Sequence, residues 1–532
     1  MEEGKKEINL DSVLESLGPY GRYNLLNFVL LLFPVLLSSF FECGFIFEAQ
    51  EQFYRCEVYG CEQRFNDTSW INFAIPLDPK KNKPSSCEQY APIDELSLQC
   101  TPDAFNKSKT IPCQSFVYEE GYSFVREFNL GCQEWKRALV GTVHNSGMFV
   151  TMLITGAISD RFGRKIAIGV ASLASFIFGM ARAFVPDYLT YLSMHFLEAG
   201  LGGGLYPSAY VMAVELVGLK QRVIVSAMCN MTFVIGVVLI ALLAWFVNNW
   251  RTYIIILYAP AIIVGVYVWF MNESARWLLS KGRRDEAVRI LKSAAKINKL
   301  DPRKLELDCL GDPLLKQQNQ TGDKKSQFSK AIRSSIIWKR LLICSFLWVT
   351  CSLVYYGLSI NSVNLSGNRY VSFMLVVLVE IPAYIVVAIV LDKYGRKKTL
   401  IPCYLLCAVT SLLFAFLPSS WWSVPLYLIG KWSVTLAYSS VYIYVSEVFP
   451  TNMRQTLISV CSTAGRIGSL LAPLTPLLSL YHKSMPTVIF GGMCLISSML
   501  VLMLPETRNM RLPDTIEEAE HLSRMRRKSD EG

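Results

Sequence analysis

Apolar runs of about twenty residues recur along this chain between short polar joints, and that rhythm sets its architecture. One helix needs a run of that length to cross roughly 30 Å of hydrocarbon. The pattern predicts helices over 22–48, 138–158, 166–184, 188–213, 223–247 and 252–271. It predicts six more over 341–361, 370–391, 399–417, 423–446, 456–480 and 486–504. The first run follows a polar, acidic segment and is too long for the core of a cleavable signal. Repetition, rather than any single run, identifies a membrane protein.

Charge orients the helices. The chain carries a net charge of +10, but its cations crowd between residues 272 and 340, whereas 49–137 is net acidic. This is the positive-inside asymmetry of a polytopic protein, not a nucleic-acid footprint. It predicts a cytoplasmic linker, two cytoplasmic termini and an extracellular first loop in a plasma-membrane protein. The expected partners are the bilayer, with anionic inner-leaflet lipid as a weak one, and no nucleic acid. Within the first loop lie Cys56, Cys61, Cys87, Cys100, Cys113 and Cys132, an even number suited to an oxidising compartment. Their pairing is open. Sequons at Asn66, Asn106 and Asn364 fall on segments predicted to face outwards.

The chain repeats itself. GAISDRFGRK (156–165) matches LDKYGRKK (391–398), so that Asp160 and Asp392 lie 232 residues apart. Glu215 and Glu447 keep the same offset, as do Arg222 and Arg454, within YVMAVELVGLKQR and YIYVSEVFPTNMR. Glu273 in NESAR and Glu506 in PETR are 233 apart. The fold class expected is therefore an all-α membrane protein, twelve transmembrane helices in two six-helix halves with a large extracellular loop after helix 1. The predicted division is an N-terminus over 1–21, a first half over 22–271 enclosing the loop 49–137, a linker over 272–340, a second half over 341–504 and a tail over 505–532. Parallel repeats of this kind build transporters.

Each repeated motif sits at a predicted cytoplasmic helix end. Asp160, Arg164, Glu215 and Arg222, with Asp392, Arg396, Glu447 and Arg454, supply both signs of charge for ion pairs that hold the halves together in one state and break in the other. The plainer alternative is topology signalling plus surface pairs worth under ~1 kcal/mol each.

The two-half layout with its Asp-Arg-x-Gly-Arg-Lys loop resembles the major facilitator superfamily. Within it, DSVLESLGPYGRYN (11–24), NESARWLLSKGR (272–283), YVSEVFPTNMRQT (444–456) and LPETRNMRLPDTIEE (504–518) resemble the organic cation/anion/carnitine solute carriers, over essentially the whole chain. The resemblance implies alternating-access transport of small organic ions, either cations or carnitine-like zwitterions, with organic anion exchange as the alternative. Ionised groups near mid-depth are costly and face a partner or a watery cavity; here they are Glu198, Glu380, Arg466 and Lys431. Glu380 matches the cation and carnitine branches, and Tyr384 stands where anion carriers tend to have lysine. Arg466 resembles the carnitine and anion carriers. Together Glu380 and Arg466 suggest anchors of opposite sign for a zwitterion; the alternative is that Arg466 and a carboxylate form a structural pair. Lys431 is either a site residue or the counter-ion of a helix carboxylate. Trp348 and Tyr355, seven residues apart on one helix face, match aromatic positions of the cation carriers' cavity and suit ammonium groups.

His195 and Glu198 share a helix face, which makes proton coupling conceivable, with packing as the commoner role for such a histidine. The glycines at 200 and 202–204 lie within an apolar run, which fits close helix packing or a bend rather than a phosphate loop. The four histidines are scattered without metal spacing, so neither an enzyme nor a metal site is expected. No cofactor is expected either, and coupling to sodium or proton gradients stays open.

Overall fold

Each predicted run becomes a helix in the computed structural model. It describes residues 10–18, 21–58, 60–62, 69–78, 83–93, 100–118, 121–218, 221–301, 334–365, 367–417, 422–450, 453–508, 513 and 518, without the side chains at 364, 388, 392 and 455. Among the described residues, ten spans are long and apolar enough to cross a bilayer: Arg22–Glu48, Glu134–Phe162, Arg164–Arg182, Arg222–Phe246, Trp250–Phe270, Ser335–Asn361, Arg369–Leu391, Arg396–Phe416, Thr456–Tyr481 and Met485–Leu502. The other two are the fourth and the tenth. One runs over Tyr188–Gly202 and Leu205–Glu215, and the other over Ser423–Val448 with Lys431 at its core. Several helices begin before their apolar run does, as at Glu134 and Ser335, because helical hydrogen bonding continues into polar residues at the interface.

Breaks in the spans follow the sequence. In the fourth, Gly203 separates two helical segments, and a Cβ there would lie 2.4 Å from Met148 Sδ and 2.6 Å from the Ala199 carbonyl. In the eighth, Arg369–Leu378 gives way to Glu380–Tyr394. Pro382 has no amide to offer the Leu378 carbonyl, and Glu380 lies at that interruption.

The first loop adds short strands to this helical fold. Among its described residues are three two-stranded antiparallel sheets, pairing Tyr54–Cys56 with Phe116–Tyr118, Leu77–Asp78 with Lys83–Pro84, and Glu88–Pro92 with Phe105–Pro112. The six loop cysteines pair as Cys56–Cys113, Cys61–Cys100 and Cys87–Cys132. Short strands without a large core need such covalent ties. Asn106 is exposed on the strand Phe105–Pro112, whereas Asn66 and the Asn364 side chain lie outside the described residues.

At the opposite end, here the linker face, Leu10–Ser16 packs on the linker helices Ala275–Ser280 and Arg284–Ile297. Leu10, Val13 and Leu14 are buried with Trp277, Leu278 and Leu291. Asp11 bonds Arg276 at 2.6 Å and Arg222 at 3.1 Å. The N-terminal segment and the linker, separate in the sequence division, thus share one small core.

The two halves meet chiefly at the end that bears the disulfide loop. Phe47 of the first span stacks on Tyr370 and meets Phe373 edge-on, Trp245 stacks on Tyr370, and Arg369 donates to the Glu51 carbonyl at 2.8 Å. The halves are therefore closed at the loop face.

Candidate functional site

Between the halves lies a cavity, a concave and mostly apolar place of the kind that holds small molecules. Glu42, Cys43 and Phe45 line it from the first span, Asn145 from the second, and Phe233 and Val237 from the fifth. Tyr355, Tyr356 and Ser359 face it from the seventh, and Phe373, Val377 and Glu380 from the eighth. The wall is mostly apolar and aromatic, with few polar groups.

The structure pairs two of the predicted charges with each other. Lys431 Nζ lies 2.9 Å from Glu380 Oε1, and both side chains are almost fully buried. Lys431 also donates to Ser359 Oγ at 2.7 Å and the Tyr355 carbonyl at 3.1 Å, and its ammonium sits 3.3 Å from the Tyr355 ring centre. The Tyr355 and Tyr384 hydroxyls donate to Glu380 Oε2 at 2.6 and 3.3 Å. Glu380 is thus already neutralised and three of the predicted residues hold it in place. Of the two meanings left open for Lys431, this pairing is the contact that a counter-ion makes.

The second carboxylate of the cavity, Glu42, was not singled out from the sequence. It accepts a hydrogen bond from the Tyr356 hydroxyl across the halves at 3.1 Å and interacts electrostatically with Arg466. Arg466 is half-buried, with Met152 Sδ at 3.9 Å from its guanidinium. An acid inside an apolar run is the available signal, and Glu42 carries it near the end of the 22–48 run. Tyr438 is a second omission. It stacks on Tyr355 with ring centres 5.6 Å apart and meets Trp348 at 5.8 Å. Trp348 itself lies buried against Tyr438 and Tyr442, beyond the lining of the cavity.

Glu198 lies apart from the main cavity, fully buried in the first half. It lines a smaller cavity with His144, Met148, Tyr206 and Glu42. Two histidines that look scattered in the sequence meet here: the rings of His144 and His195 are 5.0 Å apart, and His144 Nδ1 is 4.0 Å from Glu198 Oε2. Beside them Arg182 and Glu48, both fully buried, pair at 3.2 Å, and the Tyr191 hydroxyl donates to Glu48 at 2.5 Å.

On the linker face the repeated motifs build the same device twice. Gly163 has φ +109° and Gly395 φ +93°, conformations that favour glycine. Each precedes a helix whose first amides are capped by a carboxylate from beyond the half's last span. Glu273 accepts from the amides of Arg164 and Lys165, and Glu506 from those of Arg396 and Lys397. Lys165 Nζ bonds the Trp269 carbonyl, and Lys397 Nζ the Leu502 carbonyl. Burial raises the Glu273 carboxyl above its ordinary range, against the opposing pull of the Ser274, Lys165 and Arg164 amides.

The predicted gate residues pair inside each half. Arg164 bonds Asp160 at 2.8 Å and Glu215 at 3.3 Å, and Arg396 reaches Glu447 at 2.8 Å. Arg222 is drawn to Asp11 rather than to Glu215. Two nitrogens of Arg454 are buried without a hydrogen-bond partner, and the Asp392 side chain lies outside the described residues.

Comparison with known proteins agrees with this architecture. The model of the Major Facilitator Superfamily matches residues 134–473 and 356–528. The chain is 32% identical to the "Organic cation transporter protein" of Drosophila melanogaster over 97% of its own length and 95% of the relative's. It is 30% identical to "Solute carrier family 22 member 16" of Bos taurus, covering 96% and 94%. It is likewise 30% identical to "Organic cation/carnitine transporter 2" of Mus musculus, covering 96% and 93%. Among solved structures, the inward open xylose transporter XylE from E. coli shares the fold with a TM-score of 0.61 at 15% identity, over 94% of this chain and 99% of that one. This multi-pass membrane protein belongs to the major facilitator superfamily of transporters, within the solute carrier 22 family.

Proposed function

We propose that this protein carries a small organic ion, a cation or a carnitine-like zwitterion, across the plasma membrane by alternating access. The disulfide loop faces outwards and both termini face the cytoplasm. The observation that carries the substrate reading is the division of charge in the cavity. Lys431 neutralises Glu380, so Glu42 is the carboxylate offered to an ammonium group, and Arg466 the cation offered to a carboxylate. The Tyr355, Tyr356 and Phe373 rings around them suit an alkylated ammonium. The relatives named for organic cation and carnitine transport support the same class.

Uptake of radiolabelled carnitine, tetraethylammonium and para-aminohippurate by cells expressing the protein tests this. Glu42→Gln and Arg466→Ala, at matched surface expression, should each lower carnitine uptake by about tenfold or more, the effect of losing roughly 1.4 kcal/mol of binding. Entry of tetraethylammonium alone, indifferent to Arg466→Ala, would make it a cation carrier with a structural arginine. Entry of para-aminohippurate alone would establish the anion reading instead.

A further inference from the structure

Buried in the first half is a group of ionisable side chains that the substrate cavity does not use. His144, His195 and Glu198 are at most 2% exposed. All four imidazole nitrogens and Glu198 Oε2 have no hydrogen-bond partner in the structure. Unpaired polar atoms at that depth are costly, so the cluster is set up to take something.

The surrounding charge says what. Glu198 is faced by Glu48 from the first span, Arg182 and Ser175 from the third, and Tyr258 from the sixth. Tyr191 lies against Glu48 and stacks on His195. Glu42 and Tyr206 lie across the small cavity. Arg182 is committed to Glu48 by its two hydrogen bonds, and Glu42 interacts with Arg466. Among the described residues, Glu198 is left as one carboxylate without a full counter-charge, flanked by two neutral bases. One proton shared by Glu198 and the histidines makes the cluster electrically neutral and gives the imidazole and carboxylate a hydrogen bond to share.

A metal ion fits less well. His144 Nδ1 and Glu198 Oε2 stand 4.0 Å apart, whereas bonds of about 2.0–2.2 Å in tetrahedral geometry bring ligands to roughly 3.4 Å of one another. The far imidazole nitrogens also lack the outer partners that orient metal-bound histidines.

We propose that the His144–His195–Glu198 cluster is a proton-binding site, and that its proton travels with the substrate. This rests on the transport reading above. The small cavity and the substrate cavity share Glu42 as a wall, so the proton site lies one side chain away from the substrate cavity. Glu42 and Arg466 interact with each other until the ions of the substrate take their places, so substrate entry displaces no proton, and the two are carried in the same direction. The proton arrives from water on one face and leaves to water on the other, making and breaking only an N–H or O–H bond.

Full-length protein reconstituted in liposomes around a pH-sensitive dye tests this, with the probe that cells take up. At zero membrane potential, an inward gradient of one pH unit should accumulate that probe up to about tenfold for one proton per turnover, and a probe gradient should acidify the lumen. His195→Asn should lose the accumulation while still exchanging labelled for unlabelled probe at equal pH. Glu198→Gln should abolish the proton flux. Wild-type exchange without proton movement would overturn the proposal and leave the transport reading intact; absence of exchange would overturn both. Inhibition by micromolar Zn²⁺, lost in His144→Asn and accompanied by no proton flux, would replace the proton with a metal.

Discussion

At the scale of single residues, the pairing of Lys431 with Glu380 has consequences that differ from those of a substrate contact. Breaking a buried ion pair leaves its partner charged and unpaired, at a cost of about 3–5 kcal/mol, whereas replacing both members is often tolerated. Lys431→Ala should therefore lower the melting temperature of the purified protein markedly. Lys431→Leu combined with Glu380→Leu should recover most of that stability. A double variant no more stable than the single one would show that the pair is not the reason for the loss. Glu42 belongs to the other class: Glu42→Gln should spare the melting temperature while transport falls. The contrast explains what the sequence could convey. Depth in an apolar run marked Glu380, Lys431 and Arg466 as intramembrane charges, but one-dimensional depth does not say which charge meets which. Lys431 and Glu380 come from the tenth and eighth spans, and only packing brings them to 2.9 Å.

At the scale of elements, the repeat was legible because it is written in polar residues at fixed spacing. Glu273 and Glu506 stand out as a matched pair in the sequence, although their role as caps on the helices after Gly163 and Gly395 needed the fold. Losing a side-chain cap costs a helix about 1–2 kcal/mol. Glu273→Ala and Glu506→Ala should each lower thermal stability by that order, and by similar amounts. Gly163→Ala should be worse than either, because its Cβ would fall 2.2 Å from Glu273 Oε2 in a conformation that alanine avoids. Equal stability of Gly163→Ala and wild type in a melting assay would refute this account of the motif. The strands and disulfide pairing of the first loop were not legible. Six cysteines admit many pairings, strands of two or three residues leave no periodicity to read, and the longer Phe105–Pro112 is exposed over most of its length without a buried alternate face.

At the scale of the whole molecule, the halves are held together on the loop face by Phe47, Trp245, Tyr370 and Arg369, while the gate ion pairs seen here stay within each half. A carrier must exchange that seal for one on the linker face, where Asp160 is largely exposed, at 76% of its side chain. Asn106, exposed on its strand, reports the orientation. Asn106→Gln should remove one glycan, seen as a gel-mobility step lost on enzymatic deglycosylation; an unchanged pattern would count against the outward placement of that site. The central claim is that one cavity is exposed to the two faces in turn, and counterflow tests it most directly. Vesicles preloaded with unlabelled substrate should transiently accumulate labelled substrate above its equilibrium level, because each inward-facing cavity returns loaded. Labelled substrate that only ever equilibrates, at a rate that does not saturate, would mean a continuous pore and contradict the account.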